Sequence, residues 1–111
     1  MVMLIGKPRI SIPKTVKKDQ IFPVKVMVKH PMENGRRKDK VTNQIIPRMI
    51  INKFVCSYNE RQAFVADLHP SVSANPYISF FLKAKDSGEI KFTWTDDQGE
   101  SATESRNITV Q

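Results

Sequence analysis

The chain has 111 residues, enough for one domain with one core. Hydrophobic residues make up 40% and charged residues 26%, which excludes a disordered polymer, and no apolar run approaches the ~18 residues of a membrane helix. Lys and Arg outnumber Asp and Glu by 18 to 11, a net charge of +7 that fits nucleic acid, an acidic protein partner or simply a soluble basic surface.

The opening Met1-Val2-Met3-Leu4-Ile5 is apolar but stops at Gly6-Lys7. It has neither the basic start nor the length of a signal peptide, so export is not expected from this chain's own sequence. Arg9-Ile10-Ser11-Ile12 alternates cleanly and ends at Pro13, a short first strand. Residues 14–20 read as a basic, polar connection. Residues 21–30 then give the clearest two-fold period in the chain. Phe22, Val24, Val26 and Val28 point one way; Pro23, Lys25, Met27 and Lys29 point the other.

Pro31 breaks that pattern, and residues 31–47 form a long, mostly polar loop with a turn signal at Glu33-Asn34-Gly35. Loops of this length are usually functional, so it is a candidate contact surface. A hairpin follows, with strands over residues 49–58 and 61–68 and a short polar break at Asn59-Glu60. Its first strand is apolar on both sides: Ile50, Phe54, Cys56 and Tyr58 on one, Met49, Ile51 and Val55 on the other. Since a strand with one wet face should alternate, something is expected to cover the second face.

Residues 69–76 are turn-rich. Residues 77–86 form the next strand, with Ile78, Phe80, Leu82 and Ala84 on one face and Tyr77, Ser79, Phe81, Lys83 and Lys85 on the other. Ser87-Gly88 turns the chain into residues 89–95, where Ile90, Phe92 and Trp94 alternate inward. Asp96-Asp97-Gln98-Gly99 is a second tight turn, and the last strand directs Ile108 and Val110 into the core. About seven short strands and no helical period predict an all-β chain. The expected fold is an immunoglobulin-like antiparallel β-sandwich spanning residues 1–111 as a single domain. Its core holds Phe22, Val26, Phe54, Phe80, Phe92 and Trp94.

Nothing in the chain assembles a catalytic set. Cys56 alone cannot form an internal disulfide or a cysteine-rich metal site, and its neighbours Phe54 and Tyr58 predict a buried thiol. His30 and His69 sit at strand ends without a metal-ligand spacing. Asp67 and His69 would suit an oriented base, but no motif supplies a nucleophile. Asp96-Asp97 lacks the spacing of a calcium loop and reads as a hairpin turn. No catalytic, cofactor-binding or metal-binding residue is therefore assigned. The basic clusters at residues 14–18 and 36–40 lack the interleaved aromatics of a base-stacking surface. A basic sandwich that binds nucleic acid is thus the alternative rather than the leading reading.

Several runs together carry a family resemblance: His30-Pro31-Met32-Glu33-Asn34-Gly35, Arg37-Lys38-Asp39, Ile46-Pro47-Arg48 and Ile51-Asn52-Lys53-Phe54. With them go Ala66-Asp67-Leu68-His69-Pro70, Ala74-Asn75-Pro76-Tyr77 and residues 92–99. From about Arg9 to Val110 the chain resembles the SoxZ family, the smaller subunit of the SoxYZ carrier in bacterial thiosulfate oxidation. The resemblance implies a sandwich paired with a SoxY-like subunit, whose glycine-rich C-terminal arm bears the cysteine that carries sulfur intermediates. It further implies contact with sulfur-oxidation enzymes of the same pathway, a periplasmic location reached by co-export with the partner, and no catalysis by this half.

The second face then becomes the expected partner surface, at Ile51, Val55, Tyr77 and Phe81, which oppose the core set on their strands. Arg36, Arg37 and Arg48 on the basic loop are expected to steer an acidic partner or an anionic arm toward it. The competing arrangement puts these strands in different sheets, so that the four residues never share a surface.

Overall fold

The computed structural model describes residues 5–111; residues 1–4 of the apolar opening lie outside the described residues. Eight strands follow one another: β1 Arg9–Ser11, β2 Thr15–Val16, β3 Ile21–Met27, β4 Ile51–Tyr58, β5 Arg61–Asp67, β6 Tyr77–Lys83, β7 Gly88–Asp96 and β8 Ser101–Val110. A three-stranded sheet runs β1-β3-β6 and a five-stranded sheet runs β2-β8-β7-β4-β5. All pairs are antiparallel except β2 with β8. The expected all-β sandwich is the fold observed.

Alternation builds it. In β3, Phe22, Val24 and Val26 are buried while Ile21, Pro23 and Lys25 are exposed. From the other sheet, β4 contributes Phe54 and Cys56 and β7 contributes Ile90, Phe92 and Trp94, all shielded from water. Phe54 is the hub. Its ring centroid lies 5.1 Å from Trp94, 6.0 Å from Phe80, 6.2 Å from Phe64 and 6.4 Å from Phe92. Phe80 belongs to the small sheet, so that contact ties the two layers together without a disulfide. Each such buried ring stabilises the fold by roughly 1.5–3 kcal/mol relative to exposure.

Pro23 sits inside β3, where its missing amide would normally break a ladder. The pairing explains why it does not. Val28 N–H donates to the Pro76 carbonyl and Ala84 N–H to that of Gln20. Even-numbered residues of β3 therefore bond β6, and odd-numbered ones face β1. The pairing with β1 ends at Lys25, so the side of Pro23 that lacks a donor faces no strand.

Two local features depart from the expected pattern. Residues 14–20 are not only a connection: Thr15–Val16 pairs in parallel with Thr109 and Val110, and Val16 joins the core. A two-residue strand has no period to read, and lysines flank it. The second departure is a bulge at the start of β4. There Ile51 opposes Asp96 and Lys53 opposes Thr95, leaving Asn52 over. The extra residue flips the side-chain order, so Ile50 and Ile51 are both fully buried.

The β4–β5 hairpin turns at Asn59 and Glu60, both with positive φ (48° and 70°), the conformation that matches hairpin twist. Asn59 also reaches β7: its backbone N–H donates to the Glu89 carbonyl, and its Oδ1 accepts from the Glu89 N–H at 3.1 Å. Gly88 makes room for it, since a Cβ there would lie 1.7 Å from Asn59 Oδ1.

Candidate functional site

The molecule is elongated, 58 × 25 × 19 Å, with its long loops at one end of the sandwich. There residues 31–49 fold back on themselves. Glu33 and Met49 exchange backbone hydrogen bonds, Ile46 N–H donates to Arg37 O, and Asp39 Oδ1 accepts from the amides of Val41 and Thr42 at the tip. The tip exposes Val41 and Ile45.

The root of this loop is fastened by Asp97. Its Oδ2 accepts from Arg48 Nε at 2.9 Å and from the Ile50 amide at 3.1 Å; its Oδ1 accepts from Arg48 Nη2 at 2.8 Å and Asn52 Nδ2 at 3.1 Å. Burial raises the pKa of this carboxyl, but the bonds from Arg48, Asn52 and Ile50, with the charge of Arg48, outweigh it and hold the pKa below the usual carboxylate range. Asp96 caps the same turn, its Oδ1 accepting from the amides of Gln98 and Glu100. The acidic pair is structural glue for a hairpin, as its sequence context predicted.

His30 is buried at this end. Its Nδ1 accepts from the Met32 amide at 2.9 Å, and its backbone exchanges bonds with Asn75, joining the two long loops. That acceptor role puts the proton of the neutral ring on Nε2. Burial lowers the pKa of His30, against an opposing pull from Asp96 and Asp97. Asp67 and His69 are exposed at the end of β5. Cys56 is fully buried, and burial pushes its thiol pKa up to about 12. Among the described residues, His, Cys, Asp and Glu nowhere gather in threes that could hold a metal ion.

The expected partner residues separate. Ile51 is a correction: the bulge turns it into the core, so it cannot face a partner. Val55 is half-buried on the outer face of the five-stranded sheet, beside Val65 and Thr93. Tyr77 and Phe81 lie on the outer face of the other sheet, 58% and 68% exposed. Val55 and the two aromatics thus look out from opposite sides of the sandwich, and only the aromatics share a surface.

That surface is larger than the sequence pattern suggested. The register sets Pro23 against Phe81, Met27 against Tyr77 and Ile21 against Lys83. Ile21 is 66% exposed, so an apolar stripe crosses both β3 and β6. The off-face residues of β3 were visible as a set, but placing them beside β6 required the strand order, which local sequence does not contain. Beside the stripe, a cleft of about 680 Å³ opens between β5 and β6. Arg61, Lys83 and Lys85 line it with Ala63 and Phe81, and Tyr58 closes its end by donating from its hydroxyl to the Asp86 carbonyl at 2.5 Å.

Two of the three steering arginines have internal partners. Arg48 forks onto Asp97, and Arg37 forks onto Glu33 at 2.9 and 3.2 Å. Arg36 makes no ion pair among the described residues and lines a shallow cleft with Asn34 and residues 70–74. The basic cluster at residues 14–18 lies at the opposite end, where Lys18 N–H donates to the Gln111 carbonyl. The two clusters therefore form no continuous basic stripe of the kind a nucleic-acid backbone would track.

A family model described as "Sulphur oxidation protein SoxZ" matches residues 10–107. No curated protein matches the sequence at a significant level. Among solved structures, superoxide reductase (neelaredoxin) from Ignicoccus hospitalis is similar with a TM-score of 0.70 and 22% identity, over 96% of this chain and 82% of that one. The sulfur carrier protein SoxY from Chlorobium limicola f thiosulfatophilum has a TM-score of 0.65 and 12% identity, over 94% of this chain and 78% of that one. A hypothetical protein from Pyrococcus horikoshii OT3 has a TM-score of 0.64 and 13% identity, covering 95% and 89%. At these identities the structural likenesses speak to the fold alone.

Proposed function

The chain belongs to the SoxZ family of sulphur oxidation proteins, and from that premise we propose that it is the non-catalytic subunit of a heterodimeric sulfur carrier in thiosulfate oxidation. Its partner is a SoxY-like subunit whose C-terminal cysteine carries the covalent sulfur intermediates. This subunit folds, binds that partner and presents it to the sulfur-oxidation enzymes of the pathway. It works in the periplasm, exported together with its partner.

The observation that carries the reading is the exposed apolar stripe of Tyr77, Phe81, Pro23 and Ile21 on the small sheet. Large rigid side chains left in water on one sheet face, here with Lys25 and Ser79 between the two aromatic rings, usually mark an interaction site. The buried state of Cys56 also supports a role in which the sulfur-bearing thiol belongs to another chain. The basic loop supports steering of an acidic partner, with Arg36 the loop arginine that makes no ion pair among the described residues.

The test is co-purification. A double variant Tyr77→Ser/Phe81→Ser should fold with an unchanged circular dichroism spectrum yet lose its SoxY-family partner. A folded double variant that still co-purifies in equal stoichiometry would remove the stripe from the interface.

A further inference from the structure

Both sheets of this sandwich end on the same flank, where β5 and β6 lie across from each other. The rings of Phe64 and Phe80 mark the place, stacked with centroids 4.2 Å apart and planes within 5°. The two edges are not alike. On β5 the ladder with β4 slips between Cys56 and Ser57, and the strand carries charge at both ends, on Arg61 and Asp67. Bulges and charges are the usual means by which an edge is kept from pairing with a stranger.

On β6 those protections are nearly absent. It pairs with β3 in unbroken register over seven residues, without a bulge or a proline, and is charged only at Lys83. The ladder also fixes which of its backbone groups are spoken for. With Pro76 and Ala84 bonded toward β3, alternation commits Ile78, Phe80 and Leu82 to the same side. The amides and carbonyls of Tyr77, Ser79, Phe81 and Lys83 therefore point away from β3, and among the described residues the sheet has no strand beyond them. These are also the residues whose side chains form the exposed face of the strand. One edge thus offers free hydrogen-bonding groups next to exposed aromatic rings.

We propose that an extended segment of the partner subunit joins the three-stranded sheet as a fourth strand along β6, giving the order β1-β3-β6-partner. Main-chain bonds to Tyr77, Ser79, Phe81 and Lys83 supply the pairing, and the rings of Tyr77 and Phe81 cover the apolar side chains of the added strand. Charge selects the occupant. The end of β6 opens on the cleft with Arg61, Lys83 and Lys85, against which Asp86 is the one acidic lining residue, so the segment carries acidic side chains there. A second copy of this chain would instead bring another +7 molecule with the same basic flank to that edge. The proposal rests on the reading of the chain as a partner-binding subunit, and it specifies where and how that binding occurs.

The test uses the full-length chain with a co-expressed SoxY-family subunit. Ser79→Pro removes an edge amide that takes no part in the β3 ladder, and Ser79→Ala serves as its control. Ser79→Pro should weaken the complex at least about tenfold, the loss of a main-chain bond plus the clash of the ring with an incoming strand, while Ser79→Ala binds as the parent does. In parallel, amide exchange of the unmodified chain should slow at least about tenfold at Ser79, Phe81 and Lys83 when the partner is added. This second measurement decides the matter by itself if the proline variant does not fold. Unchanged exchange at those amides in a formed complex would overturn the strand addition. So would slow exchange there in the chain alone at high concentration, which would assign the edge to a second copy. If Phe81→Ser breaks the complex while Ser79→Pro does not, the outer face binds the partner without strand addition, and the subunit reading stands. Failure of the unmodified chains to associate at all would sink the subunit reading and this proposal together.

Discussion

Asp97→Ala should be the most damaging single substitution at the loop end, even though it lies outside the hydrophobic core. The carboxylate is only 14% exposed and accepts four hydrogen bonds from three residues. The bond that decides the magnitude is the one from the amide of Ile50, a part-buried bond made by a residue whose side chain is fully in the core. Leaving a buried donor unmet costs roughly 1–3 kcal/mol, and the lost bond from Asn52 adds about 1 kcal/mol. A total of ~2–4 kcal/mol would lower the Tm of a chain this size by roughly 8–16 °C. Arg48 is exposed, so its ion pair is screened and Arg48→Ala should cost much less. Thermal unfolding of both variants at neutral pH compares them directly. If Arg48→Ala costs as much as Asp97→Ala, the ion pair rather than the backbone anchor holds the loop, and the reasoning fails.

Two further outcomes follow from buried groups. Cys56, with its thiol pKa raised to about 12, should react with a thiol reagent at pH 8 at least ~100-fold more slowly in the native chain than in denaturant; comparable rates would place it at the surface. His30 is held neutral by burial, so the unfolded chain takes up a proton more readily than the folded one as pH falls below the ordinary value of 6.5. Stability should accordingly decline from pH 7 toward pH 5 with a component that His30→Asn removes. A denaturant midpoint that falls equally in the variant would trace the decline to other groups.

Much of the fold was legible because it is written in two-residue periods. Phe22-Val24-Val26 and Ile90-Phe92-Trp94 fixed two strands and their inward faces, and all six residues assigned to the core are buried. What alternation cannot record is an insertion. Asn52 is one residue too many in β4, and it turned Ile51 from an expected surface residue into a core residue while leaving Phe54 and Cys56 where the period put them. The sequence there reads Met49-Ile50-Ile51, apolar at every position, so no polar residue marks the phase. The same run prompted the expectation of a covered second face. Part of its apolar excess is instead explained by the bulge, which buries adjacent isoleucines.

The site was legible only in its aromatic half, for a reason that concerns topology. Tyr77 and Phe81 stood out because they interrupt the polar side of a strand. Their companions Ile21, Pro23 and Met27 lie fifty or more residues away along the chain and enter the same surface only because β3 and β6 are neighbours. Conversely, Val55 looked equivalent to Phe81 by every local criterion, yet β4 belongs to the other sheet and faces the other way. A sandwich has two outer faces, and residue spacing cannot tell one from the other. The free edge is further removed from the sequence, since it depends on which strand is last in its sheet and which amides the ladder has already used. Ser79 shows this most plainly. It is a small polar residue on an exposed strand, unremarked by composition or pattern, but its N–H is one that β3 leaves unbonded and whose removal should leave the fold intact. Sheets of this architecture serve proteins as different as superoxide reductases and sulfur carriers, so the shared layers cannot specify what each one binds. In this chain the distinguishing features are local: one protected edge on β5, one open edge on β6, and a pair of aromatic rings beside the open one.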